Sequence, residues 1–413
     1  MRRAAPRSKG GICASSSNDG VSGTVPLEPR PAGAARLAAR PGARLAPRLP
    51  ALPWSVLGPM LAIKAVVLLY GAIAFETLSN TKITTLHGLL EIWNRWDTPH
   101  YLDIATEGYT ATGEDSVFIV FFPLFPWLTR AVSALFGDPL VAAFIVATLA
   151  SIAAGLLLYR LARIDLPEPL ARRATLLLFI FPTSYFLHVP YTEGLFIALV
   201  VGSFLAARSD RWALAGLLGA AASLTRINGL VLVPALAVEA YLQWRATRRL
   251  RWEWAWIATV GIGFGIYLLV NALTLGDPFA FLAVQREHWF KALTPPWSGI
   301  WETARSIVWR EATESQLYGV QETTFIVLGL GGTLASALVL RPSYTAWMGL
   351  NWLVFTSTSF IVSVPRYSIT LFPLFLLFAL ASRRRAAYAA IGCWSLLFLA
   401  LFIGQFVQGR WAF

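Results

Sequence analysis

The run RWDTPHYLDIATEGY, residues 95–109, carries the densest group of ionisable side chains in the sequence. Asp97 fits two roles that are compatible with each other. A carboxylate followed closely by Pro99 can cap the N-terminus of a short helix. The same carboxylate, with Arg95 and His100 beside it, can act as a general base that takes a proton from an attacking hydroxyl group.

A metal ion is the alternative ligand of this run. Four side chains offer donor atoms to it: Asp97, His100, Asp103 and Glu107. Their spacing resembles no strong metal-binding motif, and we expect Asp103 and Glu107 to face solvent. We therefore predict neither a metal ion nor another cofactor, and assign His100 to substrate binding as a hydrogen-bonding partner.

A second polar cluster, FPTSYFLHVPYTEGLF, occupies residues 181–196 between two apolar segments. Prolines interrupt the helices there, so His188, Tyr191 and Glu193 are predicted to lie at the membrane surface, level with the first cluster. An acid at the start of a spanning helix is costly unless it is paired or lines a cavity. The alternative is a capping box, in which Thr192 and Glu193 bind the amides of the helix start.

Two isolated arginines fall at predicted turns on the same side of the membrane. Arg226 lies in LTRINGLVLVP and Arg366 in VPRYSITLFPLF. A guanidinium fork suits phosphate oxygens, and Tyr367 joins Arg366 in the predicted substrate-binding set. The alternative is that both arginines extend to lipid headgroups. Two arginines level with Asp97 favour phosphate binding.

The composition shows what kind of chain must position these residues. Of the 413 residues, 56% are hydrophobic and 14% are charged, whereas a soluble protein carries about 25% charged residues. The mean hydropathy is +0.60. These values exclude a soluble enzyme, a disordered protein and a fibre, and they indicate an all-α integral membrane protein.

Apolar segments of about 20 residues predict membrane-spanning helices. We place eleven of them in the sequence, near residues 54–76, 139–162, 172–188, 190–207, 212–225, 227–243, 253–275, 323–340, 344–362, 366–382 and 386–407. The segment 118–136 is also apolar but contains two prolines and an arginine, so we interpret it as re-entrant or interfacial. Two long loops remain, about 77–138 and about 276–322.

The positions of the basic residues predict the orientation. Most of the 34 lysines and arginines fall on one side of these spans, which the positive-inside rule assigns to the cytoplasm together with the N-terminus. The two long loops are then external, and the net charge of +12 reflects this orientation rather than a nucleic-acid partner. We predict an active site on the non-cytoplasmic side.

The segment before the first span differs from the remainder of the chain. Residues 1–50 are rich in Ala, Arg and Pro and lack apolar periodicity, which is typical of disorder. A transit peptide and an over-extended start site are the alternatives. We divide the chain into this tail and a membrane domain over residues 51–413.

Several of these motifs resemble one family. RWDTPHYLDIATEGY, followed by FFPLFP at residues 121–126, resembles the PIG-V family of glycosylphosphatidylinositol mannosyltransferases and its bacterial relatives. PTSYF, YTEGLF, TRINGLV and PRYSITLFPLF follow in the family's order, so the resemblance covers roughly residues 54–382.

The resemblance implies a GT-C fold, a multispanning helical bundle whose active site faces the non-cytoplasmic side. It also implies a polyprenyl-phosphate sugar as donor, typically mannose, and inversion at the anomeric carbon with Asp97 as the catalytic residue. The implied partners are this donor, a lipid or glycan acceptor and membrane lipids. A bacterial plasma membrane is favoured over an ER membrane, and tryptophans of the second loop (Trp289, Trp297, Trp301 and Trp309) are expected to frame the acceptor.

Two other classes of function are consistent with a polytopic chain. A transporter or lipid flippase commonly shows inverted repeats and charged residues near mid-membrane. Here no internal repeat is evident, and Lys64 is the exception among ionisable residues that gather near the outer surface. A non-catalytic scaffold does not account for the clustering of Asp97, His100, Glu193 and the arginines.

Overall fold

The computed structural model describes residues 53–412, and helices dominate this part of the chain. The tail predicted over residues 1–50 lies outside the described residues. The only strand-like pairing in the described range is a bridge between Leu293 and Thr358. The all-α prediction is therefore confirmed.

Eighteen α-helices occur within residues 53–412. The first nine are α1 (Trp54–Ser79), α2 (Leu86–Glu91), α3 (Asp97–Thr106), α4 (Leu124–Phe136), α5 (Pro139–Asp165), α6 (Glu168–Phe179), α7 (Glu193–Arg208), α8 (Trp212–Thr225) and α9 (Leu232–Thr247). The others are α10 (Val260–Leu275), α11 (Ala280–His288), α12 (Pro296–Trp309), α13 (Ala312–Glu314), α14 (Glu322–Val339), α15 (Pro342–Thr356), α16 (Val364–Ser368), α17 (Pro373–Ala381) and α18 (Arg385–Val407).

Five short segments of the described chain have 3-10 or π-helical geometry. The 3-10 segments are Glu114–Val120, Ser184–Leu187, Ile227–Val231 and Trp252–Thr259, and a π-helical segment covers Ser315–Gln321.

Six helical stretches of the described chain are long and apolar enough to cross a membrane. They are Trp54–Ser79, Pro139–Asp165, Ile227–Thr247, Trp252–Leu275, Ala312–Val339 and Arg385–Val407. Shorter helices (α6, α7, α8, α15 and α17) occupy the other five predicted spans. The chain is a multi-pass membrane protein, and the number eleven stays a prediction.

In two of the predicted spans the helix is shorter than the apolar run. We predicted 172–188 and 190–207, but α6 ends at Phe179 and α7 begins at Glu193. Pro182 and Pro190 lack the amide hydrogen that a helix interior needs, so residues between them fold into turns and a 3-10 segment. These turns are buried and hold most of the second polar cluster.

The segment 118–136 does not form one straight helix. The 3-10 segment Glu114–Val120 and α4 meet at a bend of 113°, next to Pro123 and Pro126. A sharp bend at prolines is expected because they cannot continue the backbone hydrogen bonds. This geometry is compatible with the re-entrant or interfacial interpretation.

Small residues allow close helix packing around α8, as its Gly- and Ala-rich sequence predicts. α8 packs against α7 and α10. At Gly263 of α10, a Cβ atom would lie 1.8 Å from the carbonyl oxygen of Ala220. A larger residue there would force α8 and α10 apart.

A buried ion network ties α5, α7, α9 and α15 together at one end. Arg208 binds both carboxylate oxygens of Asp165 at 2.9 Å, and Arg341 binds both of Glu239 at 2.6 and 2.7 Å. Ser343 donates a further hydrogen bond to Glu239. Because these buried charges are paired and hydrogen-bonded, we assign the network a structural role: it connects the four helices.

Candidate active site

The start of α3 is fastened to the buried turn that precedes α7. The Asp97 N–H donates to the Tyr191 hydroxyl oxygen at 3.2 Å, and that hydroxyl donates to the Arg95 carbonyl at 2.9 Å. The Thr98 hydroxyl donates to the Pro190 carbonyl at 3.3 Å. Backbone groups at the helix start are thus satisfied from the second polar cluster, and Asp97 is held by its main chain.

The capping alternative for Asp97 is wrong. Asp97 is the first residue of α3, and Trp96, with a φ of 57°, occupies the cap position without capping the helix through its side chain. The left-handed backbone at Trp96 is uncommon for a non-glycine residue. The Asp97 carboxylate is bound instead by a partner from a distant segment of the chain.

That partner belongs to an ion-pair network of four residues. Arg366 Nη1 lies 2.5 Å from Asp97 Oδ2, and Arg366 Nε lies 2.5 Å from Glu193 Oε1. Arg226 Nη1 lies 2.6 Å from the same Glu193 oxygen and 3.0 Å from the Thr192 hydroxyl. The structure thus brings together four residues that the sequence analysis placed at one level.

The same contacts overturn the other structural alternatives. Glu193 opens α7, but neither it nor Thr192 forms a side-chain cap there, so the predicted capping box does not exist. Arg226 and Arg366 bind acids instead of extending to headgroups. Their side chains are only 14% and 6% exposed, because each guanidinium points into the protein.

The two acids of the ion-pair network differ in solvent exposure. The side chain of Glu193 is fully buried, whereas that of Asp97 is 26% exposed. Glu193 Oε2 has no hydrogen-bond partner in the described chain. Asp97 is therefore the acid of the network that a bound molecule can reach, and Glu193 is the buried anchor of both arginines.

Aromatic rings fix the Arg366 guanidinium from its faces. Its Cζ lies 4.6 Å from the ring centre of Tyr191 and 5.0 Å from that of Phe186. Such cation–π contacts strengthen when they are shielded from water. Tyr191 therefore positions both the Asp97 backbone and the Arg366 side chain.

Lys291 adds a cation that the sequence analysis did not select. Its Nζ donates to the Tyr367 hydroxyl at 3.2 Å, and Arg226 Cζ lies 5.3 Å from the centre of the Tyr367 ring. Tyr367 therefore separates two cations. In residues 53–412 no acid lies within salt-bridge distance of Lys291, and the carboxylate of Glu322 acts on it electrostatically from farther away.

A short paired segment holds Lys291 in place. Ala292 exchanges hydrogen bonds with Ser359, whose amide donates to the Ala292 carbonyl at 2.8 Å. The Thr294 amide donates to the Ser357 carbonyl at 3.3 Å. This pairing joins the second long loop to the segment that leads into α16. The only sequence signal was that Lys291 is the single lysine of this loop.

The motif FFPLFP packs directly on α3. The ring centres of Phe121 and Phe125 each lie 5.3 Å from that of Tyr101. Arg130 of α4 donates to the carbonyls of Ala105 and Thr106, both at 2.6 Å, and so caps the C-terminus of α3. The bent segment therefore acts as a brace for the helix that carries Asp97.

Three predicted binding residues stand apart from the ion-pair network. His188 is fully buried, and its Nε2 lies 3.5 Å from the Phe179 carbonyl oxygen. His100 packs against Phe118, with ring centres 4.3 Å apart and ring planes tilted by 38°. Arg95 contributes its carbonyl, and its Nε is buried without a hydrogen-bond partner in the described chain. The level predicted for His188 at the membrane surface stays a prediction.

Metal ligands do not converge at this site. Among residues 53–412, no group of three or more His, Cys, Asp or Glu side chains could hold a metal ion. Asp103 and Glu107 are exposed as expected. Partial burial, with the nearby Asp115 carboxylate, raises the pKa of Asp103 above its ordinary value.

The family comparison finds one match. Residues 122–272 match the family model described as dolichyl-phosphate-mannose-protein mannosyltransferase. This range contains Glu193 and Arg226, and it excludes Asp97 and Arg366. A comparison with curated protein sequences gives no match. The finer resemblance to the PIG-V family stays a prediction.

Solved structures that are similar to this chain include the following two. ArnT from Cupriavidus metallidurans, bound to undecaprenyl phosphate, matches 81% of this chain and 62% of its own, with a TM-score of 0.51 and 13% identity. The Archaeoglobus fulgidus oligosaccharyltransferase matches 86% and 56%, with a TM-score of 0.43 and 11% identity. This chain therefore spans less than two thirds of either structure. The chain is thus a multi-pass membrane protein by its apolar helices, and its helical fold is similar to that of ArnT.

Proposed function

We propose that this chain is a membrane glycosyltransferase. It moves a sugar, with mannose favoured, from a polyprenyl-phosphate carrier to a lipid-linked or extracytoplasmic acceptor. The observation that carries the proposal is the partly exposed Asp97 carboxylate, bonded to Arg366 at the end of an otherwise buried ion-pair network. The family model matched by residues 122–272 supports a mannose carrier of this class.

In the proposed reaction Asp97 acts on the acceptor hydroxyl and Arg366 on the leaving phosphate. The acceptor hydroxyl oxygen attacks the anomeric carbon, and its proton passes to the Asp97 carboxylate. The bond between that carbon and the phosphate oxygen breaks, and its electron pair leaves with the phosphate. A single displacement of this kind inverts the anomeric configuration. No nucleotide is needed, because the sugar is already activated by its phosphate.

The charge balance of the site favours a phosphate ligand. In the ion-pair network two carboxylates offset two guanidinium groups, and Lys291 adds one positive charge beside Tyr367. Cations that are already in place stabilise the charge that develops on a leaving phosphate without further rearrangement. ArnT, whose fold this chain shares, was solved with undecaprenyl phosphate, and we propose the same class of carrier here.

We propose that α12 lies on the acceptor side of the site. A cavity of about 550 Å³ is lined by Trp301, Ala304, Arg305, Val308 and Trp309. α12 is anchored next to the segment that leads to Arg366, because a Cβ on Gly299 would lie 2.4 Å from the Thr358 carbonyl oxygen. Exposed indole rings suit a membrane–water interface, where a lipid-linked acceptor would present its hydroxyl.

We place the site on the non-cytoplasmic side of the membrane, with a bacterial plasma membrane favoured over the ER. The positive-inside bias supports this orientation. A glycosylation site introduced into the segment 77–138, when the chain is expressed in microsomes, should be modified. One introduced into the loop between α7 and α8 should not be.

The proposed function is tested by presenting purified protein in lipid nanodiscs with labelled polyprenyl-phosphate mannose and a membrane-lipid extract. We expect label to appear in a new product, with an anomeric configuration opposite to that of the donor. Retention of configuration would contradict the single displacement. Label that stays in the donor for every polyprenyl-phosphate sugar supplied would contradict the proposed function itself.

A further inference from the structure

Glu322 is a buried acid that the proposed chemistry does not use. It begins α14, inside the apolar stretch Ala312–Val339, and its side chain is fully buried. In the described part of the chain no cationic side chain lies within salt-bridge distance of it, although the charge of Lys291 acts on it from farther away. A carboxylate in such a place is costly unless other groups satisfy it, so its partners show what it does.

Those partners are two consecutive backbone amides just before α16. The Ser363 N–H donates to Glu322 Oε1 at 2.7 Å, and the Val364 N–H donates to Glu322 Oε2 at 2.9 Å. Both carboxylate oxygens are therefore used by one short segment. Hydrogen bonds to an ionised acceptor are stronger than those between neutral groups.

The clamped backbone has a conformation that needs support. Ser363 has a φ of 73° and a ψ of 19°, in the left-handed region that non-glycine residues seldom adopt. Such residues persist when the surrounding structure determines their conformation. On the other side of the turn, the Thr183 hydroxyl donates to the Pro365 carbonyl at 2.9 Å, which fixes the residue that precedes Arg366.

We infer that Glu322 is a positioning residue for Arg366: it clamps the left-handed turn at Ser363 so that the guanidinium reaches Asp97 and Glu193 together. Glu322 touches neither the Arg366 side chain nor Asp97. The inference rests on the proposed function only for its effect on transfer. The clamp itself is a property of the fold and can be measured without a substrate.

The substrate-free arm measures hydrogen–deuterium exchange in nanodiscs. Glu322→Gln keeps one acceptor oxygen and turns an NH2 donor toward the other amide. We expect exchange in a peptide covering residues 360–366 to rise by about tenfold, because a buried amide loses its acceptor. Glu311→Gln, which changes an exposed acid before the same helix, is the matched control and should leave this peptide unchanged.

The catalytic arm asks whether Glu322 acts through Arg366. Glu322→Gln should lower transfer by about tenfold in the native chain but by less than about twofold in an Arg366→Lys background, because effects that share one route are not additive. Should Glu322→Gln fail to fold, Glu322→Asp keeps the charge on a shorter side chain. It should show the same pattern with smaller changes.

The two arms separate the possible failures. Unchanged exchange over residues 360–366, or an equal loss of transfer in both backgrounds, would overturn the positioning role of Glu322. A native chain that transfers no sugar would contradict the proposed function, while the exchange arm would still decide whether the clamp exists.

Discussion

Asp97 and Arg366 lie 269 residues apart in the chain, and their side chains meet at 2.5 Å. Asp97 begins a short helix in the first long loop, and Arg366 lies in α16, after a left-handed turn. Neither element spans the membrane alone. The contact joins the two parts of the chain that the proposed reaction needs, a base for the acceptor and a cation for the leaving phosphate.

Arg366→Ala should lower transfer by about 100-fold, because it removes a preorganised donor to the leaving phosphate. Its effect should fall more on the donor than on the acceptor, measured as separate KM values for the two substrates. Arg366→Lys keeps the charge but cannot bind Asp97 and Glu193 with one planar fork, so it should recover only part of the loss. Equal changes in both KM values would contradict a donor-phosphate role.

Lys291→Met should raise the KM for the polyprenyl-phosphate donor by about tenfold without lowering thermal stability. The one side-chain hydrogen bond of Lys291 in residues 53–412 goes to the Tyr367 hydroxyl, so few protein contacts are lost, whereas a phosphate would lose a charged partner. Lys82→Met changes an exposed lysine of the other long loop and serves as the control. An unchanged donor KM in Lys291→Met would remove this residue from the phosphate site.

Glu193→Gln should lower the free energy of unfolding. Expressed as free energy, this loss should exceed the change in KM for either substrate. Its carboxylate is fully buried and pairs with both Arg366 and Arg226. Removing one partner of a buried ion pair costs about 3–5 kcal/mol, because the remaining charge is uncompensated. Thermal unfolding in detergent measures this loss. Glu287→Gln, at an exposed acid, should unfold at the native temperature, and an equally stable Glu193→Gln would contradict the role of the anchor.

Gly71→Ala tests the support beneath α3. A Cβ at Gly71 would lie 2.1 Å from the buried Trp93 ring, and overpacking of this kind costs about 1–3 kcal/mol. We expect a lower unfolding temperature and reduced transfer, because Trp93 lies four residues before Asp97. Gly58→Ala lies in the same helix with no atom within 4 Å of the new Cβ. It should be neutral or slightly stabilising, because alanine favours a helix more than glycine does, and a similar loss in both variants would contradict the overpacking explanation.

Much of the site was predictable because polar residues stand out in an apolar chain. Asp97, Glu193, Arg226 and Arg366 each interrupt or border an apolar run, and a consistent membrane topology sets them at one level. Their individual roles were less accessible. Whether Glu193 caps its own helix or binds Arg366 depends on contacts between distant segments, and local sequence describes both arrangements equally well.

The residues that sequence analysis missed share a physical cause. Glu322 looks like an ordinary acid in the first turn of a helix, where it suits the helix dipole, although its carboxylate binds the amides of another segment. Lys291 lies in a long loop whose path the sequence does not define. His188, by contrast, was among the predicted binding residues, but its fully buried side chain stands apart from the ion-pair network.

The central claim is that Asp97 takes the acceptor proton, and Asp97→Asn in a labelled-donor transfer assay tests it most directly. The amide keeps the size of the side chain and the backbone bond to Tyr191, but cannot act as a base. We predict a loss of transfer of at least about 100-fold at native expression and unfolding temperature, with Asp103→Asn, an exposed acid of the same helix, retaining activity. Transfer by Asp97→Asn above about one tenth of the native rate would contradict the account.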